Sequence, residues 1–300
     1  MTDWDGRGLP PAVAARAARY RPDGVRTSLL DVPSFVGAQS VGLRPLGEVM
    51  GCAVVHLGWK GWAGCGASWG TGRTVTSGSR SRYSGYAPYV DALRGAYDAA
   101  LARLVAEAVA MRAHGVVGVR LTEQHVSGGR EFLALGTAVR ADTPLFLERP
   151  FVTELDGNDV AALLHAGWAP AAIVYGISVG IRHDDYRTQR QASGWSNAEV
   201  SGYTDLVQQV RHDARARFRE RVAATGADGA LVSRTTLHVH AQEPSDGHVD
   251  HVAEATVFGT ALARFRTAPT ARRTLTVLPL RRPTTDRPTT DRPTTDRTAP

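Results

Sequence analysis

The chain has 300 residues, of which 43% are hydrophobic and 21% charged, a balance that suits one large or two medium domains with a sizeable core. Collagen, coiled-coil and disulfide-scaffold classes are excluded by composition. The formal charge of +6 lies in the ends: residues 1–26 hold five Arg and three Asp, and residues 267–300 hold seven Arg and three Asp. The stretch between them is close to neutral, so the basic balance does not mark a nucleic-acid-binding body. A single lysine, Lys60, stands against thirty-four arginines, which reads as codon bias rather than as an Arg-specific role.

In chain order, residues 1–26 form an N-terminal extension without an apolar core of the secretory kind. From 27 onward the chain runs through the same pattern twice. Residues 28–55 match 153–180 at an offset of 125 without a gap, with seven identities that include Asp31/Asp156, Gly42/Gly167, Pro45/Pro170 and Gly51/Gly176. Two later blocks follow in the same order: 113–117 onto 227–231, and 131–138 onto 254–261. The spacing predicts a tandem pair, 27–141 and 142–266.

Each copy predicts an Asp- or Asn-capped short helix (33–40, 158–165) closed by glycine. An apolar strand follows (46–57, 171–182) with Gly51 or Gly176 near its middle, where a bulge or a close backbone approach is expected. A Gly/Ser/aromatic segment leads into a long amphipathic helix, marked by Val90, Leu93, Tyr97, Leu101 and Leu104 and by Val207, Val210, Ala214 and Phe218. A hairpin closes each copy, 116–126 with 131–140 and 230–241 with 253–263. The expected class is α+β: two tandem copies of a small domain with a long helix packed on an antiparallel sheet. The sheet face left bare by its own helix needs another partner, and ring-forming assembly supplies one. Residues 283–297 are three copies of PTTDR, so 267–300 read as a disordered Pro/Thr/Asp/Arg tail.

Four segments resemble one family in its order: Gly47-Glu-Val-Met-Gly51, Gly78-Ser-Arg-Ser-Arg-Tyr-Ser-Gly-Tyr86, Gly115-Val-Val-Gly-Val-Arg-Leu121 and Gly136-Thr-Ala-Val139. They are similar to the YbjQ-like, or heavy-metal-binding domain, family. The second copy keeps Gly176 and Gly259-Thr-Ala261 but has Ala172-Ile173 in place of the Gly-Glu pair. The resemblance implies a small domain that assembles as a pentamer, and a metal-binding role without assigned ligands.

Chemistry-bearing residues cluster in the second hairpin, where His238, His240, His248 and His251 accompany Glu243, Asp246 and Asp250. His238 and His240 share a strand face, and His248 and His251 are expected to return across a turn at 244–247. Imidazoles with carboxylates suit Zn, Ni or Cu, although the spacing is no named zinc pattern. A second candidate is a Cys52/His56/Cys65 site, against the ordinary role of a buried cysteine as core. Trp59, Trp62 and Trp69 lie among glycines and are the candidate surface for a protein partner. Arg211, Arg215 and Arg219 form a basic stripe at helical spacing, read as a solvated face. Neither HExxH nor a phosphate loop occurs. The expected function is an oligomeric binding or assembly protein of the cytoplasm that carries a transition metal on the His-rich hairpin. It has itself as partner, and no nucleic acid or membrane. Two alternatives are a metal-free scaffold that recruits a partner through the Trp loop, and a small-molecule enzyme at the interface between copies.

Overall fold

The computed structural model describes residues 4, 8–18, 27–57, 74–77, 87–143, 149–195, 197–245 and 248–265. Trp59, Trp62, Trp69, Cys65 and the PTTDR repeats lie outside the described residues. Residues 1–267 make one compact unit.

After a short helix α1 (Pro11–Ala18), the first half runs α2 (Val32–Ser40), β1 (Leu43–Val55), β2 (Thr74–Thr76), α3 (Ala87–Ala110), β3 (Gly115–Val126) and β4 (Gly129–Ala141). The second half runs β5 (Phe151–Val152), α4 (Gly157–His165), β6 (Trp168–His183), α5 (Tyr186–Ala192), α6 (Ser201–Ala224), β7 (Gly229–Ser245) and β8 (His248–Arg264). Asp31 caps α2 through the Ser34 N–H and Asp156 caps α4 through the Asp159 N–H, each satisfying an orphan donor of the first turn. Both helices end before a glycine with positive φ, Gly42 and Gly167, a conformation that costs glycine little.

The strands form two four-stranded sheets, ordered β1-β4-β3-β5 and β2-β6-β8-β7. Their registers correspond position by position: Gly51 faces Ala134 as Gly176 faces Val257, and Gly115 faces Val139 as Gly229 faces Leu262. The first edge strand is irregular between Pro45 and Gly47 and its counterpart between Pro170 and Ala172, because proline has no N–H for the ladder. The α+β class with a long helix on each sheet is the observed one. Two departures stand out. The β3–β5 pair is parallel, and each half lends a short strand to the other's sheet: β5 of the second half joins β3, and β2 of the first half joins β6.

Gly51 and Gly176 each admit a helix backbone. A Cβ on Gly51 would lie 1.9 Å from the Ala100 carbonyl oxygen, and one on Gly176 would lie 2.1 Å from that of Ala214. The expected close approach is thus that of the long helix, α3 on the first sheet and α6 on the second.

Strand alternation then divides the second sheet. Val174, Ala253, Ala255 and Val257 pack under α6 against Leu206, Val210, Ala214 and Phe218. Ile173, Tyr175, Ile177, Val179 and Phe258 turn the other way and join the core of the first half, with Leu93, Tyr97, Leu104 and Phe132. Each half therefore completes the other's core. Tyr97 is central to that seam, with ring centroids 4.8 Å from Phe132, 5.2 Å from Phe258 and 5.4 Å from Tyr175. On the opposite face of the first sheet, Met50, Cys52, Val54, Leu133 and Leu135 are half-buried or exposed.

Candidate functional site

Where the first half meets the bare face of the second sheet, a cleft of about 600 Å³ opens. Tyr89 and Tyr97 of α3 and Leu121, Glu123 and Arg130 of the first hairpin form one wall. Arg234, His238, His240, Glu254 and Phe258 of the second hairpin form the other. On β7, Arg234, Thr236, His238 and His240 recur at every second residue, so one face of the strand supplies them all.

The polar groups interlock. The Tyr97 hydroxyl donates to Glu123 at 3.1 Å, and Arg130 holds the same carboxylate at 2.5 Å. The Tyr89 hydroxyl donates to Glu254 at 3.0 Å. Burial raises the Glu254 carboxyl above the usual range, and the nearby Glu123 charge adds to the shift. Burial likewise pushes both tyrosine hydroxyls far above an ordinary phenol. Arg234 lies over the Phe258 ring, 4.6 Å from its centroid, a cation–π contact at the cleft mouth. The cleft thus combines an aromatic floor, a carboxyl that favours its proton, and a rim of guanidinium and imidazole groups.

A pH dependence follows from Glu254. Its folded-state pKa lies above the unfolded value, so its contribution to stability is complete below the unfolded carboxyl pKa and is lost as pH rises through the folded one. Urea midpoints measured from pH 4 to 8 are expected to fall more steeply with pH in the wild type than in Glu254→Gln. Parallel profiles would contradict this.

Three of the hairpin histidines divide between two faces. His238 and His240 line the cleft. His251 lies opposite Ala241 and so shares the face of that residue, not that of His240. Its Nδ1 is 3.1 Å from Asp184, and its ring stacks on Tyr203 with centroids 4.2 Å apart. His248 opens β8. Among the described residues, no group of three or more His, Cys, Asp or Glu side chains could hold a metal ion; Asp246 and Cys65 lie outside the described residues. Cys52 donates to Glu131 at 3.2 Å on the bare face of the first sheet, while the His56 Nδ1 lies 2.9 Å from the Gly128 carbonyl. Desolvation, followed by the Glu131 bond, pushes the Cys52 thiol up to about 11.

Sequence reasoning missed a crossed pair on β6 and β8. Asp250 bonds His183 at 2.7 Å, and Asp184, beside His183, bonds His251. The Tyr203 hydroxyl donates to Asp184 at 3.0 Å and is pushed up to about 12, mainly by burial. Adjacent His-Asp and Asp-His pairs become meaningful only once register is known. Glu254 and Glu123 carried no signal beyond their place in alternating strands.

Long helices on antiparallel-rich sheets, and a matching motif order, define a YbjQ-like α+β protein. The family model described as "Putative heavy-metal-binding" matches residues 66–142. A UPF0145 protein of Halorubrum lacusprofundi is 41% identical over 71 residues, 23% of this chain and 68% of that protein. The encapsulin nanocompartment protein Rv1762c of Mycobacterium tuberculosis is 32% identical over 248 residues, 79% of this chain and 86% of that protein. The chain belongs to the family of that mycobacterial protein. No solved structure matches it. Among the described residues, no helix is long and apolar enough to cross a membrane.

Proposed function

We propose that this chain is a self-assembling structural component of a cytoplasmic protein nanocompartment. The encapsulin relative, which corresponds to most of the chain, supports the assembly role. The observation that carries self-association is the second hairpin. Strand β7 ends its sheet, runs for 17 residues and exposes Leu231, Val232 and Val239. A long apolar edge strand is a template for another chain unless it is covered. Descent of the two halves from one duplicated domain, with units at 27–141 and 142–266, accounts for their shared registers. The reading requires neither a metal nor catalysis.

Sedimentation velocity of the full chain at 1–50 μM tests it. A single species of several chains is expected across that range. A monomer at every concentration would contradict the proposal.

A further inference from the structure

The two halves meet through unlike surfaces. The first half offers α3, the free edge of β3 and helix α2. The second half lays on them the bare face of its sheet, strand β5 and helix α4. Such a front-to-back contact does not close on itself, because it leaves one front and one back uncovered. The uncovered back is the bare face of the first sheet with α2. The uncovered front is α6 with the edge of β7.

Exposure follows this division at corresponding positions. On the back, Val54 is 59% exposed and its counterpart Val179 is 1%; Val36 is 57% exposed and its counterpart Ala161 is 7%. On the front, Leu231 is 43% exposed and its counterpart Val117 is 0%. In each pair the buried residue is the one that the other half covers. Scattered apolar residues need no explanation, but corresponding apolar positions that are buried where the other half covers them and exposed where it is missing point to an absent partner of the same shape.

We infer that a second copy of this chain occupies both surfaces, seating the bare face of its first sheet on α6 and β7 as the second sheet sits on α3 and β3. The inference rests on the self-assembly proposed above. Charge decides the detail. Tyr97 of α3 and Glu254 of β8 line the same cleft within the chain. Their counterparts are Arg211 on α6 and Glu131 on β4, so across the chain-to-chain contact a guanidinium faces a carboxylate. Hydrogen bonds from Gln124 and Cys52 hold the Glu131 carboxyl below its usual range, in keeping with that partner. The shallow hollow lined by Arg211, Arg215, Thr235, Leu237 and Val257 is then half of a second cleft, completed by the next copy. Both halves of each chain lie in one row, so a closed ring contains an even number of halves, which excludes a ring of five halves but admits one of five chains.

Charge reversal tests the pairing. Arg211→Glu and Glu131→Arg, both at the surface, are each expected to weaken self-association at least about tenfold, with unchanged circular dichroism. The double variant is expected to recover most of the loss, since the reversed charges again face each other. Assembly unaffected by either single change, or a double variant no better than the singles, would overturn the inference while leaving self-assembly standing. A monomeric wild type would remove both.

Discussion

Gly51→Ala and Gly176→Ala are each expected to lower the unfolding free energy by about 3 kcal/mol, the upper end of ordinary overpacking costs. At both positions the added Cβ meets backbone rather than a flexible side chain. On Gly51 it would also lie 2.6 Å from the Leu104 nitrogen, and on Gly176 2.5 Å from the Phe218 nitrogen. Relief requires the whole helix to lift from its sheet, which opens the core beneath it. Gly95 provides the control, because a Cβ there meets nothing within 4 Å and alanine is the better helix former. Gly95→Ala is therefore expected to stabilise by about 0.5–1 kcal/mol. Urea denaturation of the three variants checks the contrast. Equal midpoints for Gly51→Ala and the wild type would show that α3 does not pack as described.

Tyr175→Ala is expected to cost about 4 kcal/mol, in the range for removing a large buried ring. Tyr175 is the anchor of the second half in the first. Its ring lies 5.5 Å from that of Phe258 and carries the Arg221 guanidinium 4.2 Å from its centroid. Its hydroxyl donates to the Arg94 carbonyl at 2.9 Å and to Asp98 at 2.5 Å, both on α3. Arg221 also reaches Asp98 at 2.8 Å, so α3, β6 and α6 meet at this one side chain. Tyr175→Phe keeps the ring and is expected to lose only about 1–3 kcal/mol, through the hydrogen bonds to Asp98 and Arg94. An unchanged unfolding midpoint for Tyr175→Ala would contradict a core shared between halves.

Much of this arrangement is legible in the sequence because its causes are local. Asp31 and Asp156 announce their helices, Gly42 and Gly167 end them, and Gly51 and Gly176 mark a close approach without naming what approaches. The offsets that align the two halves as sequence also align their strand registers. The exchange of β2 and β5 is not legible, since two- and three-residue strands carry no periodic signal. The histidine hairpin shows the limit most clearly. Its four imidazoles look like one cluster until register is fixed, and a slip of one residue moves a side chain to the other face of the sheet. Ladder irregularities between Val232 and Arg234 and between Gln242 and Ser245 set that register. They separate His251, held by Asp184, from His238 and His240 in the cleft. The basic stripe of α6 reads as a solvated face, although its counterpart on α3, Tyr97, Leu101 and Val105, is apolar. Its meaning depends on Glu131, eighty residues earlier in the sequence.

Cross-linking between two different variants tests the front-to-back contact most directly. In a background with Cys52→Ser and Cys65→Ser, one chain carries Arg211→Cys and the other Glu131→Cys. Mild oxidation of the mixture is expected to give a disulfide-linked pair at twice the chain mass, while neither variant alone forms it. No linked pair in the mixture, or pairs formed equally by one variant alone, would contradict the account.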